Sequence, residues 1–152
     1  MNQKILAFIY DIKNKKFLIL KTAESLEEVH GPSKWFTVTG EVESKETIGQ
    51  AVKREVKEET NLDVIDLFSL NWGSIYDWNK NTYKELNYIA FVEDGEVVLN
   101  EEHIEFEWLK LDEFVKRISW GDDKELLKTI LYKAVNKKLY FSKLNLIDYR
   151  AK

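Results

Sequence analysis

Three acids in the middle of the chain, Glu55, Glu58 and Glu59, have the type and spacing for cation chemistry. They lie in the stretch from Gly40 to Leu62 (GEVESKETIGQAVKREVKEETNL), which suits a turn followed by one helix. Project that helix at about 100° per residue with Glu55 at 0°. Ile48, Ala51 and Val52 then fall near ~20°, ~−40° and ~60° and form an apolar stripe. Glu59 falls at about 40° and Glu58 at about −60°, while Gln50, Lys53 and Lys57 take the opposite side. Three carboxylates therefore continue the stripe expected to face the core. Desolvating them is expensive, and acids one turn apart repel each other. A cation on that face offsets both costs. An oxygen-only donor set suits Mg²⁺, with Mn²⁺ as a substitute, and Mg²⁺ usually shares its shell with substrate phosphates. The pattern points to phosphoryl or pyrophosphate chemistry, in which a metal neutralises charge and activates an attacking water. Arg54 stands beside the acids. It can pair with Glu58 one turn on or with Glu46 on the preceding loop, fixing loop against helix.

Positioning these side chains falls to the elements around them. Residues 4–10 (KILAFIY) and 16–20 (KFLIL) are β-rich runs joined by the polar turn DIKNK, which predicts a hairpin. Thr22 to Lys34 is a polar connection, and Trp35–Thr39 is a strand delivering the chain to Gly40. After the helix, Asn61 suits the left-handed C-terminal position that Gly more often fills. Val64–Trp72 is expected as a strand, Gly73–Asn81 as a strand end and loop, and Tyr83–Val92 as the next strand. Leu86, Tyr88, Ala90 and Val92 share one face of that strand. Asp94-Gly95 signals a turn, Val97–Leu99 is a short apolar run, and Phe106–Leu109 is a further strand. A short helix is expected over Leu111–Ile118 and a longer one over Asp122–Lys137, while residues 138–152 carry no clear pattern. The fold class this implies is α+β, or a three-layer α/β/α arrangement around a mixed sheet.

At 152 residues the chain suits one domain over 1–152. Its net charge of −4 argues against general binding to nucleic-acid backbones. With no cysteine, disulfides, thiolate nucleophiles and cysteine metal sites are excluded. No stretch approaches membrane-spanning length, and a cytoplasmic location is expected.

The central stretch resembles the Nudix box: Gly, five residues, Glu, seven residues, then Arg-Glu-apolar-any-Glu-Glu-any-Gly-apolar. Here these positions hold Gly40, Glu46, Arg54, Glu55, Val56, Glu58, Glu59 and Leu62, with Asn61 in place of the second Gly. Asn tolerates left-handed φ better than other non-Gly residues, so the turn should survive. The resemblance implies a Nudix-type α/β/α sandwich and hydrolysis of a nucleoside diphosphate linked to another group. It makes Glu55 and Glu59 direct metal ligands, gives Glu58 an assisting role, has Thr39 offer its carbonyl, and leaves Glu46 and Arg54 to hold loop to helix. The base varies within the family between a box glutamate and one on a later loop. WFTVTGEVE, then REVKEET, then EEHIEFEWLKLDEF is also similar to the dihydroneopterin triphosphate / dATP pyrophosphohydrolase group. On that match Glu102 completes the metal site or acts as base. The substrate implied is a small nucleotide-like triphosphate. Rival expectations are hydrolysis of dinucleoside polyphosphates or RNA 5′ ends, and a nucleotide-binding module without catalysis.

Other residues are less sharply assigned. Glu101, Glu105 and Glu107 compete with Glu102, and a solvated loop explains all four. His103 can serve as a base, but a single loop histidine is more often a surface or hydrogen-bonding residue. Trp35, Trp72, Trp78, Trp108 and Trp120 are core or rim candidates, one of which, or Tyr76, can stack on a base or pterin ring. Lys21 and Lys34 flank the expected opening as possible phosphate contacts.

Overall fold

The two N-terminal apolar runs form the expected hairpin, β1 (Asn2–Asp11) and β2 (Lys16–Thr22). The computed structural model describes residues 2–24, 32–136 and 141–144. Asp11 shapes the turn: its buried carboxylate accepts the backbone N–H groups of Lys13 and Asn14 and the Asn14 amide. β1 and β2 then pair only beside the turn, at Tyr10–Phe17 and Asp11–Lys16, before parting. The chain between Trp35 and Glu41 fills the gap. The single strand expected over Trp35–Thr39 is in fact two, β3 (Trp35–Phe36) on β2 and β4 (Val38–Glu41) on β1. Thr37 is the crossing point, its hydroxyl donating to the Ala7 carbonyl at 2.7 Å.

The helix follows as α1 (Ile48–Thr60). A reciprocal Thr47–Gln50 capping box opens it, and Asn61 closes it at φ 69°, its N–H bonded to the Lys57 carbonyl. β5 (Asp66–Trp78) and β6 (Asn81–Val92) form a long antiparallel ribbon. The segment 73–78, expected to be a strand end and loop, is strand. Asn79 and Lys80 both adopt left-handed φ in a two-residue turn, and Tyr76 stacks on Tyr83 across the ribbon at 5.6 Å. β7 (His103–Leu109) starts three residues before the expected Phe106, because it follows β2 past a bulge at Lys21/Thr22. Val97–Leu99 forms no strand; Val97 and Leu99 pack on the α1 side of the core.

α2 (Leu111–Arg117) and α3 (Lys124–Asn136) complete the fold, with Asp123 capping α3 through the N–H groups of Glu125 and Leu126. Position 137, the expected end of that helix, lies outside the described residues. Of the unassigned tail, β8 (Ser142–Lys143) adds to the β5 edge, and the rest of 138–152 apart from 141–144 lies outside the described residues.

The sheet runs β3-β2-β1-β6-β5-β8, with β4 also on β1 and β7 on β2. β1 and β6 are parallel and the other pairs antiparallel, so the sheet is mixed. Alternation divides its side chains between two cores. Ile5, Ala7, Leu18, Leu20, Tyr88 and Ala90 meet Val52 and Val56 of α1. Leu6, Phe8, Phe17, Ile89 and Phe91 meet Phe114, Leu127 and Leu131 of α2 and α3. The molecule is thus an α+β sandwich with α1 on one face and α2 with α3 on the other.

Candidate active site

The α1 face does not treat its three acids alike. Glu59 is 1% exposed and Glu55 9%, whereas the Glu58 side chain is 53% exposed. Glu58 therefore does not share the buried arc expected of all three. Val56, at about 100° on the same projection, draws the centre of that arc toward Glu59 and leaves Glu58 on its rim.

Arg54 gathers the loop before the helix. Its Nε donates to Glu46 Oε2 at 2.7 Å and its Nη2 to Glu46 Oε1 at 3.0 Å, a two-pronged pair that holds the Glu46 carboxyl below its ordinary pKa. Nη2 also donates to the Glu41 carbonyl at 3.0 Å. Nη1 bonds Glu55 and lies 3.5 Å from Glu58. Both partners weighed for Arg54 are present, and Glu46 is the close one. Gly40, on β4, lies against Glu55: a Cβ there would stand 2.2 Å from the Glu55 carboxyl carbon. With no side chain at Gly40, the Glu55 carboxyl can lie directly on β4.

Glu59 closes one side of a cavity of about 300 Å³, also lined by Thr39, Lys34, Glu102 and His103. Glu102 is exposed and sits on the loop before β7, its carboxylate accepting from the Asn100 amide at 3.2 Å. Of the two plain roles expected of a loop histidine, surface or hydrogen-bonding, the surface one does not hold: His103 is buried, with Nδ1 3.7 Å from Glu59 Oε1. The early start of β7 turns its ring inward. Lys34 lines the cavity as expected. Lys21 is not among its lining residues; it instead approaches Glu105 at 3.3 Å and the Trp35 ring at 5.8 Å. Lys4, Tyr76 and Glu85 also line the cavity. Sequence spacing alone does not bring these three here, because the parallel β1–β6 pairing that joins Lys4 to Glu85 is a long-range contact.

The electrostatics ask for positive charge. Glu59 Oε2 is buried with no hydrogen-bond partner among the described residues. Burial, a hydrogen bond shared with Glu55, and the charges of Glu102, Glu55 and Glu58 push the Glu59 carboxyl up to about 11. An orphaned carboxylate oxygen, neighbouring carboxylates and the Thr39 carbonyl are the donor types a hard divalent cation takes. The residues fit such an ion in kind. Among the described residues, no three acid or imidazole groups are already gathered around one point, and Arg54 bonds Glu55.

The NUDIX domain model matches residues 2–130. The chain belongs to the Nudix family. It is accordingly a hydrolase of phosphoric anhydride bonds, in a family that generally uses divalent metal. It is 26% identical over 149 residues to the dihydroneopterin triphosphate diphosphatase of Haemophilus influenzae, covering 86% of this chain and 88% of that one. Among solved structures it is similar to the E. coli dihydroneopterin triphosphate pyrophosphohydrolase, at TM-score 0.68 and 23% identity over 87% of this chain and 96% of that one. It is similar also to a C. elegans Ap4A hydrolase complex, at TM-score 0.67 and 22% identity over 93% and 100% of the two chains. Both structures share the fold. The Nudix hydrolase has, among its described residues, no helix long and apolar enough to cross a membrane.

Proposed function

We propose that this Nudix hydrolase is a Mg²⁺-dependent pyrophosphohydrolase of a nucleoside-triphosphate-like substrate, a dNTP, an NTP or dihydroneopterin triphosphate. In this reading it works as a single domain over 1–152, in the cytoplasm. The observation that carries it is Glu59: a buried carboxylate oxygen with no hydrogen-bond partner among the described residues, on a cavity whose other walls bring lysines and further acids. The similarity to the Haemophilus influenzae diphosphatase supports the substrate class.

Glu55 and Glu59, with Thr39 and Glu102, would hold the metal, and Glu58 at the rim assists. When bound, the metal supplies charge neutralisation on the phosphates and acidifies water. The chain's residues do the rest. Arg54 anchors Glu46 and orients Glu55. Lys34 and Lys4 meet phosphate oxygens as point charges. Glu102, exposed and lining the cavity, takes the proton of the attacking water and can release it to solvent. The water oxygen bonds to phosphorus, the bridging P–O bond breaks, and pyrophosphate leaves with the electron pair.

Product analysis tests this reading. Incubated with Mg²⁺ and a panel of triphosphates, the protein should release pyrophosphate and a monophosphate. Release of ATP plus AMP from a dinucleoside tetraphosphate, with the triphosphates untouched, contradicts it. So does nucleotide binding without turnover.

A further inference from the structure

A second cavity of about 300 Å³ adjoins the first and shares Lys34, Phe36 and Glu85 with it. Its floor is the sheet face that elsewhere builds the core with α2 and α3. Along β6 that face carries Phe91 and Ile89 in the core, and by the two-residue period Asn87 and Glu85 come next. Polar residues thus replace the apolar ones where the helices no longer cover the sheet. Trp72 and Trp120 line the cavity with their rings 5.6 Å apart, and Phe36 stacks on Trp120 at 6.1 Å. Gly73 keeps β5 tight against β6 here: a Cβ would stand 2.2 Å from the Glu85 carbonyl oxygen.

Two polar groups around this cavity make no hydrogen bond among the described residues. Asn87 is 5% exposed, lines the cavity, and its amide makes no hydrogen bond among the described residues. The Trp120 indole N–H is buried with no acceptor among them either. The Asn87 amide therefore presents its polar atoms to the cavity rather than to a protein partner. Burial also raises the Glu85 carboxyl above its ordinary pKa, against the opposing pull of Lys4, Tyr76 and Lys34. Groups held this way are explained by a ligand that completes them.

We infer that this compartment holds the ring of the substrate, and that Glu85 and Asn87 select the 2-amino-4-oxopyrimidine edge shared by guanine and pterins. The inference rests on the triphosphate reading of the neighbouring cavity. A carboxylate accepts two parallel hydrogen bonds, and that edge offers two adjacent donors, the ring N–H and the exocyclic amine. Adenine presents a lone pair in place of the ring N–H, so a carboxylate repels it. The Asn87 amide supplies the donor that the ring carbonyl needs. Trp72, Trp120 and Phe36 provide π-faces for the ring. Lys34, common to both cavities, stands where the phosphate chain passes from ring to acids.

Binding in EDTA separates recognition from hydrolysis. The full chain is titrated with dGTP, dITP, dATP and 7,8-dihydroneopterin triphosphate, following tryptophan fluorescence. dGTP, dihydroneopterin triphosphate or both should bind about tenfold or more tightly than dATP and dITP, dITP lacking the exocyclic amine. The tighter of the two tells whether the natural ring is a purine or a pterin. Glu85→Gln, with an unchanged melting temperature, should abolish the preference over dATP, and Asn87→Leu should weaken the preferred ligands. The dGTP-to-dITP comparison uses only the wild type and so stands even if a variant misfolds. Equal binding of all four, a preference that survives Glu85→Gln, or no binding up to millimolar ligand overturns the inference. A ring preference without Mg²⁺-dependent turnover sinks the hydrolytic reading alone. Turnover without a ring preference sinks this inference alone.

Discussion

A carboxyl group buried beside other carboxyls persists either protonated or next to a cation. Glu59 is in that position, and its surroundings leave no slack. Gly40 tests how finely the acids are placed. In Gly40→Ala the new methyl meets the end of a flexible Glu55 side chain rather than backbone, so the fold can adjust. Urea unfolding should show a loss of about 1 kcal/mol or less. Turnover should fall about tenfold or more, because the displaced carboxyl is part of the proposed metal site. Asp11 is a residue-scale control far from catalysis. Burial raises its pKa, but bonds from Asn14 and from the Lys13 and Asn14 backbone outweigh that and leave it lowered. A lowered folded pKa gives stability that is fully present above the unfolded value, near 3.8, and is lost as pH falls through the folded value. Asp11→Ala should therefore lose about 1–3 kcal/mol at neutral pH and less below about pH 3, measured by urea unfolding at both.

At the scale of elements, α1 was legible in the sequence and its surroundings were less so. Helical period, the Glu55–Glu59 spacing and the Asn61 stop are local features that the chain writes out in order. The Thr47–Gln50 capping box emerges only with the structure. The split of Trp35–Thr39 into β3 and β4 was not legible, because it depends on β1 and β2 parting. Nor was the burial of His103, which depends on β7 pairing with β2 beyond its bulge. Glu58 was misplaced by treating three acids as one stripe when Val56 sets the true centre. Two predictions belong here. Asn61→Ala should destabilise by about 1 kcal/mol because of its left-handed backbone, whereas Asn61→Gly should be nearly neutral, with turnover unchanged in both. Arg54→Lys should reduce kcat/KM about 10–100-fold, since an ammonium cannot make the forked bond to Glu46 and still reach Glu55.

Across the whole molecule, one sheet separates two tasks. Its α1 side carries the acids. The opposite face carries the aromatic compartment, and Lys34, Phe36 and Glu85 stand at the edge where the two cavities meet. The acids were visible in sequence because they share one helix. The compartment was not, because Trp72, Asn87 and Trp120 come from β5, β6 and the loop before α3. The buried acid face of α1 is proposed to perform metal-dependent anhydride hydrolysis. The most direct measurement is pyrophosphate release from the triphosphate panel, with and without Mg²⁺, by the wild type and by Glu59→Gln, which keeps shape and removes charge. Mg²⁺-dependent release is expected from the wild type, with a loss of about a hundredfold or more in the variant and its melting temperature retained. Equal release by both proteins, or release indifferent to Mg²⁺, would contradict it.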